Sequence, residues 1–372
     1  MKYNIYLFDM DGVLLTPNGY HKSLQTSVKR VGLALGAPQT VLTDDHIAKL
    51  ESLTITNEWD SLAICSAIIL LHAWQVNKNL RLDGLSPNAK IFLAEQPDFD
   101  RFLYTFKDIS DLPGHSCYKK IIKENDWLDP RQKQHLQTIL LKSRDIYESP
   151  TLPAHQETVL GSQRYSKNYG LKPNLNIESF LLKYDHPNLT MRNQSQLREW
   201  MTTPENLVGI LTNRPSGTPP GYLSSPEAEI GAELIDLRDL PILGSGMLAW
   251  FAATQCELPD HTFLKPNPVH TLGLLQMCLG NSMVNGLEKA VKLWIGHGER
   301  SDWTQLDRAK VTIFEDSVKG LQSGLSAQKL LKSINIRTNL NLIGVTKKPI
   351  KLAALNDIAH SIIPDINQIS WK

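Results

Sequence analysis

Two aspartates, Asp9 and Asp11, stand two residues apart directly after an apolar run, in the segment YLFDMDGVLL. Aspartate is uncommon in strands and is seldom buried without a partner, so its place here favours either a turn or chemistry. Alternate residues of an extended chain project to the same side, so both carboxylates can face one reaction centre. Because two close carboxylates do not both ionise readily, the pair would supply a nucleophile beside a proton donor.

Polar side chains also follow other short apolar segments. They are Thr212, the last residue of NLVGILT, with Asn213 and Arg214 after it, Lys265 at the start of KPNPVHTLGLLQ, and Glu315 and Asp316 after KVTIF. In a parallel α/β sheet, ligands bind at the carboxyl ends of the strands. Acids from two such strands would form a site that suits Mg²⁺, and a threonine hydroxyl with a lysine ammonium can hold phosphoryl oxygens.

Each position also has a purely structural interpretation. The pattern Asp-x-Asp-Gly is common in turns, because aspartate side chains bond to their own backbone. Asp316 and Ser317 can cap the following helix, and Lys265 can be a solvated surface lysine. The shared position of all these residues at strand ends favours chemistry over a set of unrelated turns.

The apolar pattern predicts a parallel α/β sheet whose first strand is separated from the others. Continuous apolar runs predict strands over 3–8, 206–212, 292–296, 310–314, 341–346 and 361–366. Helical patterns lie between several of them, which is typical of parallel sheets. Pro266 and Pro268 favour a helix start just after Lys265.

A long, mostly helical insertion separates the first strand from the rest. Helical patterns cover 21–35, 44–53, 59–76 and 131–147, whereas 160–174 is typical of a loop. We therefore predict a sheet domain of residues 1–19 and 200–372 and an inserted helical domain of residues 20–199.

The bulk composition narrows the function classes. The chain has 372 residues and a net charge of +1, which gives no reason to expect nucleic acid or an anionic membrane as a partner. The longest apolar run, 62–74, is too short to span a bilayer and predicts a buried helix. The start of the chain lacks a targeting pattern, and the four cysteines show no CxxC spacing, so we expect reduced thiols and a cytoplasmic location.

The segments FDMDGVL, GILTNRP, LKPNP and IFEDSVKG resemble, in this order, the four motifs of the haloacid dehalogenase (HAD) superfamily of aspartate-nucleophile phosphatases. The similarity covers about 1–19 and 200–372, and is greatest to the β-phosphoglucomutase and phosphoglycolate phosphatase branches. The insertion stands where that superfamily often has a helical cap domain. The resemblance implies a Rossmann-like parallel sheet with helices on both faces, plus a mostly α-helical cap.

The resemblance also implies roles for the acidic residues. Asp9 would attack phosphorus, and Asp11 would protonate the leaving oxygen and then activate water. Mg²⁺ would be held by the Asp9 carboxylate, the Asp11 backbone carbonyl and Asp316. Glu315 would act behind these ligands or through a water molecule.

The same resemblance implies that residues of the second and third motifs bind phosphate. Thr212, Asn213 and Lys265 would bind the phosphoryl group, and Lys265 would also offset the charge around Asp9. The stretch WIGHGERSD (294–302) resembles a degenerate acidic motif and offers Glu299 and Asp302 as rival metal ligands. We favour Glu315 and Asp316, because they directly end a predicted strand.

The function implied is a Mg²⁺-dependent phosphatase that hydrolyses a small phosphorylated metabolite through an aspartyl-phosphate. A phosphomutase of the same superfamily shares this chemistry, and a catalytically inactive HAD-fold binding protein is the alternative from another class. A dehalogenase is disfavoured, because a leaving halide needs no proton from a second acid such as Asp11. The identity of the substrate and the oligomeric state stay open.

The segment TITNEWDSLAIC (54–65) is a candidate for substrate specificity. Thr56 or Asn57 is a plausible helix N-cap, and Glu58 lies in the first turn, where negative charge suits the helix dipole. Capping does not explain Trp59, a large aromatic residue among polar ones. Trp59 is therefore a candidate to pack on the leaving group, with Asn57 or Glu58 bonding its polar atoms.

Overall fold

A computed structural model describes the fold for most of the chain. The described residues are 2–83, 93, 95–106, 112–369 and 371. The chain divides into two compact units, one of Met1–Pro17 with Asp185–Lys372 and one of Asn18–Tyr184. The predicted domain boundaries lie between residues 19 and 20 and between residues 199 and 200. The units of the structure divide between residues 17 and 18 and between residues 184 and 185.

All strands of the described residues lie in the first unit. They are β1 Asn4–Phe8, β2 Leu15–Thr16, β3 His186–Pro187, β4 Asn206–Leu211, β5 Ile242–Leu243, β6 Lys310–Glu315, β7 Asn339–Val345 and β8 Ser361–Ile363. Six of these described strands form a parallel sheet in the order β5-β4-β1-β6-β7-β8. β2 and β3 form a separate antiparallel pair.

The central strand β1 is apolar on both faces because both faces of the sheet are covered. Ile5 and Leu7 belong to one hydrophobic core, and Phe8 belongs to the core on the opposite face. Phe8 stacks on Phe314 of the neighbouring strand β6, with ring centroids 4.7 Å apart. The alternation of these side chains explains why the strand reads as a continuous apolar run.

The unit of Asn18–Tyr184 is helical throughout its described residues apart from its connecting segments. Its helices are α1 Gly19–Ala34, α2 Asp44–Ser52, α3 Glu58–Trp74, α4 Phe99–Thr105, α5 Pro113–Glu124, α6 Pro130–Leu141, α7 Leu152–Leu160, α8 Ser162–Tyr169 and α9 Phe180–Tyr184. The apolar helix α3 is buried along most of its length and packs against α1, α5 and α6, which confirms the predicted buried helix. No helix of the described residues combines the length and the apolar character that crossing a membrane requires.

The helices of the sheet unit cover both faces of the sheet. They are α10 Met191–Trp200, α11 Glu227–Leu234, α12 Ser245–Gln255, α13 Pro268–Cys278, α14 Met283–Trp294, α15 Val318–Ser333 and α16 Pro349–Asn356, with short 3-10 helices at Arg300–Leu306 and Ile366–Gln368. α12, α13, α14 and α15 pack on the face of Ile5, and α10 and α11 on the face of Phe8. The predicted α/β class, with a Rossmann-like parallel sheet and helices on both faces, is confirmed.

Two local predictions are wrong. The run 292–296 is the end of helix α14, whose buried Leu287, Ala290 and Leu293 follow a helical spacing, and not a strand. A short apolar run does not by itself distinguish a strand from a helix end. The stretch 160–174, predicted as a loop, contains α8, which buries Tyr165 and Tyr169 on one side.

Candidate catalytic and metal site

The carboxyl ends of three adjacent strands meet at one edge of the sheet. Phe8 of β1 pairs in register with Ile210 of β4 and Phe314 of β6, so the residues after these strands are neighbours. The Asp9 amide continues this pattern and donates to the Phe314 carbonyl at 2.9 Å. The parallel register therefore places the polar residues at the carboxyl ends of β1, β4 and β6 together.

Lys265 is buried between two carboxylates. Its Nζ lies 2.5 Å from Asp9 Oδ1 and 2.7 Å from Glu315 Oε2, and it donates to the Leu211 carbonyl at 3.0 Å. The side chains of Lys265, Asp9 and Glu315 are each at most 8% exposed. The interpretation of Lys265 as a solvated surface residue is therefore wrong.

The position of Lys265 follows from the helix that starts behind it. Asn267 caps α13, because its Oδ1 accepts from the Val269 amide at 2.9 Å, and Pro268 takes the first helical position as predicted. The Asn267 carbonyl accepts from Ser323 Oγ of α15 at 2.8 Å. The segment that carries Lys265 is thus tied to the helix that follows Glu315 and Asp316.

Glu315 is fixed by the start of α15. Its Oε1 accepts from the Ser317 amide at 3.2 Å and from Ser317 Oγ at 2.9 Å. Ser317 is also the N-cap of α15, since its Oγ accepts from the Gly320 amide at 3.1 Å. A Cβ at position 320 would overlap Glu315 Oε2, so the glycine lets the carboxylate approach the helix backbone. The carboxylate is held in place before any ligand binds.

Asp316 lies between a glycine turn and a lysine. Gly12 has a φ of +83°, and a Cβ there would overlap Asp316 Oδ2, so the turn after Asp11 leaves room for this carboxylate. Lys351 of α16 forms an ion pair with Asp316, whose side chain is 15% exposed. Asp316 is thus the acid of this cluster with the most access to solvent.

The acidic side chains of this edge could hold a metal ion. One carboxylate oxygen from each of Asp9, Glu315 and Asp316 lies within 4.8 Å of the others. Among the described residues, the ammonium groups of Lys265 and Lys351 contact these three carboxylates. Hard oxygen donors with excess negative charge are the ligands that Mg²⁺ prefers, so the donor set fits this ion.

Burial and the neighbouring charges shift the pKa values of these groups. Burial, together with the neighbouring Glu315 carboxylate, raises the pKa of Asp9 well above its usual range, although Lys265 opposes the shift. Burial also raises the pKa of Asp316, against the effect of Lys351. Burial alone would lower the pKa of Lys265, but Asp9 and Glu315 together raise it, so Lys265 is an ammonium. A further cation would favour the ionised form of Asp9.

Asp11 faces a buried arginine. Arg214 Nε lies 2.9 and 3.0 Å from the two carboxylate oxygens of Asp11, and Arg214 Nη2 lies 2.5 Å from Asp11 Oδ1. Arg214 Nη2 also donates to Asp185 Oδ2 at 2.8 Å. The Arg214 side chain is 1% exposed and the Asp11 side chain 33%. Asp11 is therefore held from the protein side while part of it stays open to solvent.

The residues predicted to bind phosphate differ in burial. Thr212 follows β4 directly and is buried, and its Oγ1 accepts from the Arg214 amide at 3.1 Å. A hydroxyl that accepts one hydrogen bond keeps its own proton as a donor for an anion. Asn213 is exposed beside it, and Lys265 contacts the carbonyl of Leu211 on the same strand.

The rival acids of 294–302 lie outside the acidic cluster. Glu299 is exposed, and its carboxylate accepts from Ser301 Oγ at 3.3 Å. Asp302 lies 3.6 Å from the Lys289 ammonium of α14. The cluster found among the described residues joins Asp9 to Glu315 and Asp316 instead.

The specificity candidates lie at the start of α3, in the helical unit. Asn57 is the N-cap, because its Oδ1 accepts from the Trp59 amide at 2.8 Å, so the capping interpretation is confirmed for this residue. Glu58 and Trp59 are both half-buried in the first turn. Their part in substrate recognition stays a prediction.

Sequence reasoning missed three charged residues around the site. Arg214 stood beside Thr212 in the second motif but received no role. Asp185 and Lys351 were not considered. Lys351 had a signal, since it follows the carboxyl end of strand β7, whereas Asp185 meets Arg214 only through the fold.

Comparison with known proteins supports the fold. A crystal structure determined by a structural genomics consortium aligns with a TM-score of 0.64 over 99% of this chain and 97% of that chain, at 17% identity. The phosphatase Tt82 from Thermococcus thioreducens aligns with a TM-score of 0.43 over 91% of this chain and 92% of its own, at 10% identity. Neither protein-family models nor curated protein sequences give a match. The first alignment shows a fold shared with a solved protein.

Proposed function

We propose that this protein is a Mg²⁺-dependent phosphatase of the HAD superfamily that hydrolyses a small phosphorylated metabolite. One observation carries the proposal. Asp9 lies at the end of the central strand, 2.5 Å from a buried lysine and in one acidic cluster with Glu315 and Asp316. A purely structural turn needs neither the buried lysine nor the further acids.

In the proposed reaction, an oxygen of Asp9 attacks phosphorus while the bond from phosphorus to the leaving oxygen breaks. Asp11 gives its proton to that oxygen, which leaves as an alcohol. Asp11 then takes a proton from water, and the hydroxide attacks phosphorus and releases phosphate from Asp9. Covalent catalysis thus divides one difficult step into two. Thr212 offers a hydrogen-bond donor to the phosphoryl oxygens. Lys265, whose ammonium contacts Asp9, Glu315 and the Leu211 carbonyl, adds positive charge beside them.

Asp9, Asp316 and the backbone carbonyl of Asp11 would hold the Mg²⁺, with Glu315 behind them. A bound Mg²⁺ supplies positive charge to the phosphoryl oxygens. The chain's own contribution is to keep these carboxylates in place. Glu315 is held by Ser317, and Asp316 by Lys351 and the Gly12 turn.

Phosphate release from p-nitrophenyl phosphate and a panel of phosphorylated metabolites tests the proposal. We expect release with Mg²⁺, none with EDTA, and recovery when Mg²⁺ is added back. Transfer of phosphate to a second hydroxyl of the substrate instead of water would indicate a phosphomutase. Binding of phosphorylated compounds without turnover of any of them would contradict the enzymatic function and favour a binding protein.

A second measurement locates the metal. We expect Asp316→Asn to raise the Mg²⁺ concentration needed for half-maximal activity at least tenfold, because an amide is a much weaker ligand than a carboxylate. Glu299→Gln and Asp302→Asn are matched controls that remove rival acids outside the cluster. If the controls raise the Mg²⁺ requirement more than Asp316→Asn does, the metal lies elsewhere.

Substrate specificity is assigned to the start of α3. We expect Trp59→Ala and Glu58→Ala to raise KM for the natural substrate and to affect p-nitrophenyl phosphate much less, because the small generic substrate lacks the groups they would contact. Steady-state kinetics on both substrates make the comparison. Equal losses on both, with a lower Tm, would show that these residues only stabilise the helical unit.

A cytoplasmic location remains part of the proposal. It is supported by the four cysteines, which are free thiols in the structure, as expected for a reducing compartment.

A further inference from the structure

We propose that Arg214 is a positioning residue for Asp11 and that Asp185 holds Arg214 in place. The inference rests on the proposed function, in which Asp11 transfers the proton. It starts from a chain of three charged side chains, in which the buried guanidinium of Arg214 contacts the carboxylate of Asp11 on one side and that of Asp185 on the other.

The contact between Arg214 and Asp11 fixes an orientation. Both oxygens of Asp11 receive hydrogen bonds from the guanidinium, with Nε and Nη2 as the donors. A planar guanidinium that meets a carboxylate in this way restrains its rotation, which a single ammonium does not. The Asp11 side chain is one-third exposed, so without this contact it would be free to turn towards solvent.

The backbone of Arg214 is itself fixed. Its amide donates to Thr212 Oγ1 at 3.1 Å, and its carbonyl accepts from the Ser245 amide at 2.9 Å. Pro215 follows, which restricts Arg214 to an extended conformation. The guanidinium is thus carried by a segment anchored to the start of α12 and to a residue of the phosphate site.

The far side of the guanidinium is closed by Asp185 and by helix α11. Asp185 has a fully buried side chain and accepts from Arg214 Nη2 at 2.8 Å. A Cβ on Gly231 of α11 would lie 3.2 Å from Arg214 Nη1, so the helix backbone passes close to the guanidinium. A buried guanidinium without a carboxylate partner is costly, so Asp185 stabilises the charge that contacts Asp11.

Asp11 and Asp185 are also linked through the backbone. Leu15 and Thr16, just after the Asp11 turn, form strand β2, which pairs with Pro187 and His186 of β3. Asp11 and Asp185 each precede one strand of this short antiparallel ribbon, one at either end of it, and both carboxylates contact the guanidinium of Arg214. We conclude that Arg214 and Asp185 together have the geometry of a support for Asp11, the proton-transfer group.

A positioning role for Arg214 predicts that the loss of activity in its variants depends on the leaving group of the substrate. An alkoxide is a poor leaving group and needs the proton from Asp11, whereas p-nitrophenolate leaves readily without it. Loss of a positioned general acid typically costs 10²–10⁴-fold in rate. We therefore expect Arg214 variants to lose the hydrolysis of alkyl phosphates selectively, in the manner of Asp11→Asn.

The experiment compares kcat/KM for p-nitrophenyl phosphate and for an alkyl phosphate that the wild type hydrolyses. The variants are Asp11→Asn as the reference, Arg214→Met, Arg214→Lys and Asp185→Asn. We expect Arg214→Met to lower the alkyl value about 10²-fold or more and the aryl value by less than about tenfold. Arg214→Lys and Asp185→Asn should give smaller losses with the same selectivity.

A matched control separates positioning from general stability. Arg198 forms a similar two-point pair with Asp239, at 2.5 and 2.7 Å, on the surface of the same unit, and Arg198→Met should leave the ratio of the two rates unchanged. Equal losses on both substrates in the soluble variants Arg214→Lys and Asp185→Asn would overturn the positioning role, as would wild-type alkyl turnover in Arg214→Met. Absence of turnover by the wild type with every phosphate ester would instead overturn the proposed function itself.

Discussion

Asp9→Asn is expected to abolish phosphate release while leaving the protein folded. An amide does not attack phosphorus, and it is a poor ligand for Mg²⁺. Asp9 is buried at the end of the central strand and forms one acidic cluster with Glu315 and Asp316. Phosphate release measured with excess Mg²⁺ should fall to the uncatalysed background, and a phosphate-labelled form of the protein should no longer be trapped by acid quenching.

The stability of the Asp9→Asn variant, unlike its activity, should not fall. The pKa of Asp9 in the folded protein is raised, so the ionised carboxylate opposes folding at pH values above its unfolded pKa. At neutral pH and without metal, Asp9→Asn removes this charge, and its Tm should be no lower than that of the wild type. The exposed residue Asp126 gives the control, Asp126→Asn, which should change neither property. Turnover by Asp9→Asn at wild-type rates would exclude the covalent mechanism.

Lys265→Met is expected to be the most destabilising change at the site. The ammonium contacts two buried carboxylates, and its removal leaves both without their cation. Breaking a buried ion pair in this way typically costs about 3–5 kcal/mol. Urea denaturation at pH 7 would measure the loss, and phosphate release should be lost as well, because Lys265 offsets the charge that Asp9 carries.

The pH dependence of this loss has a definite sign. The pKa of Lys265 is raised in the folded protein, so its stabilising contribution is fully present at neutral pH and disappears only in strongly alkaline solution. In Lys265→Met the two carboxylates are uncompensated, and protonation at low pH relieves them, so the loss should be smaller at pH 4 than at pH 7.

Lys289→Met is the matched control for this change. Lys289 lies 3.6 Å from Asp302 in a partly exposed pair, and its loss should cost less than about 1 kcal/mol. The double variant Lys265→Met with Asp9→Asn should recover part of the stability. An unchanged denaturation midpoint in Lys265→Met would contradict the buried ion cluster.

The sequence predicted the positions that share a strand end. Asp9, Thr212 and Glu315 each follow a continuous apolar run, and in a parallel sheet such runs end at the same edge. The three strands are adjacent in the structure, an order that the alternation of strands and helices did not predict. This part of the site could be predicted because a continuous apolar run indicates a buried strand, and the strands of a parallel sheet share one direction.

The remaining contacts depend on distant parts of the chain. Arg214 contacts Asp11 across a sequence separation of 203 residues. Lys351, on the helix between β7 and β8, contacts Asp316. The pairing of Arg214 with Asp11 has no local pattern, and the place of Lys351 after strand β7 does not indicate which carboxylate it contacts. The wrong strand prediction at 292–296 came from a local pattern that fits two structures. A helix end with the apolar residues Leu293 and Ile295 resembles a short buried strand.

The place of β1 in the sheet has a consequence for biosynthesis. β1 leaves the ribosome before its neighbours β4 and β6, which begin only at Asn206 and Lys310. At translation rates of about 5–20 residues per second, the first strand waits roughly 10–40 s with both edges unpaired. The helices of Asn18–Tyr184 emerge during that interval and have a hydrophobic core of their own. Their folding would shorten the loop that β1 must close, so the insertion would also help the nascent chain to fold.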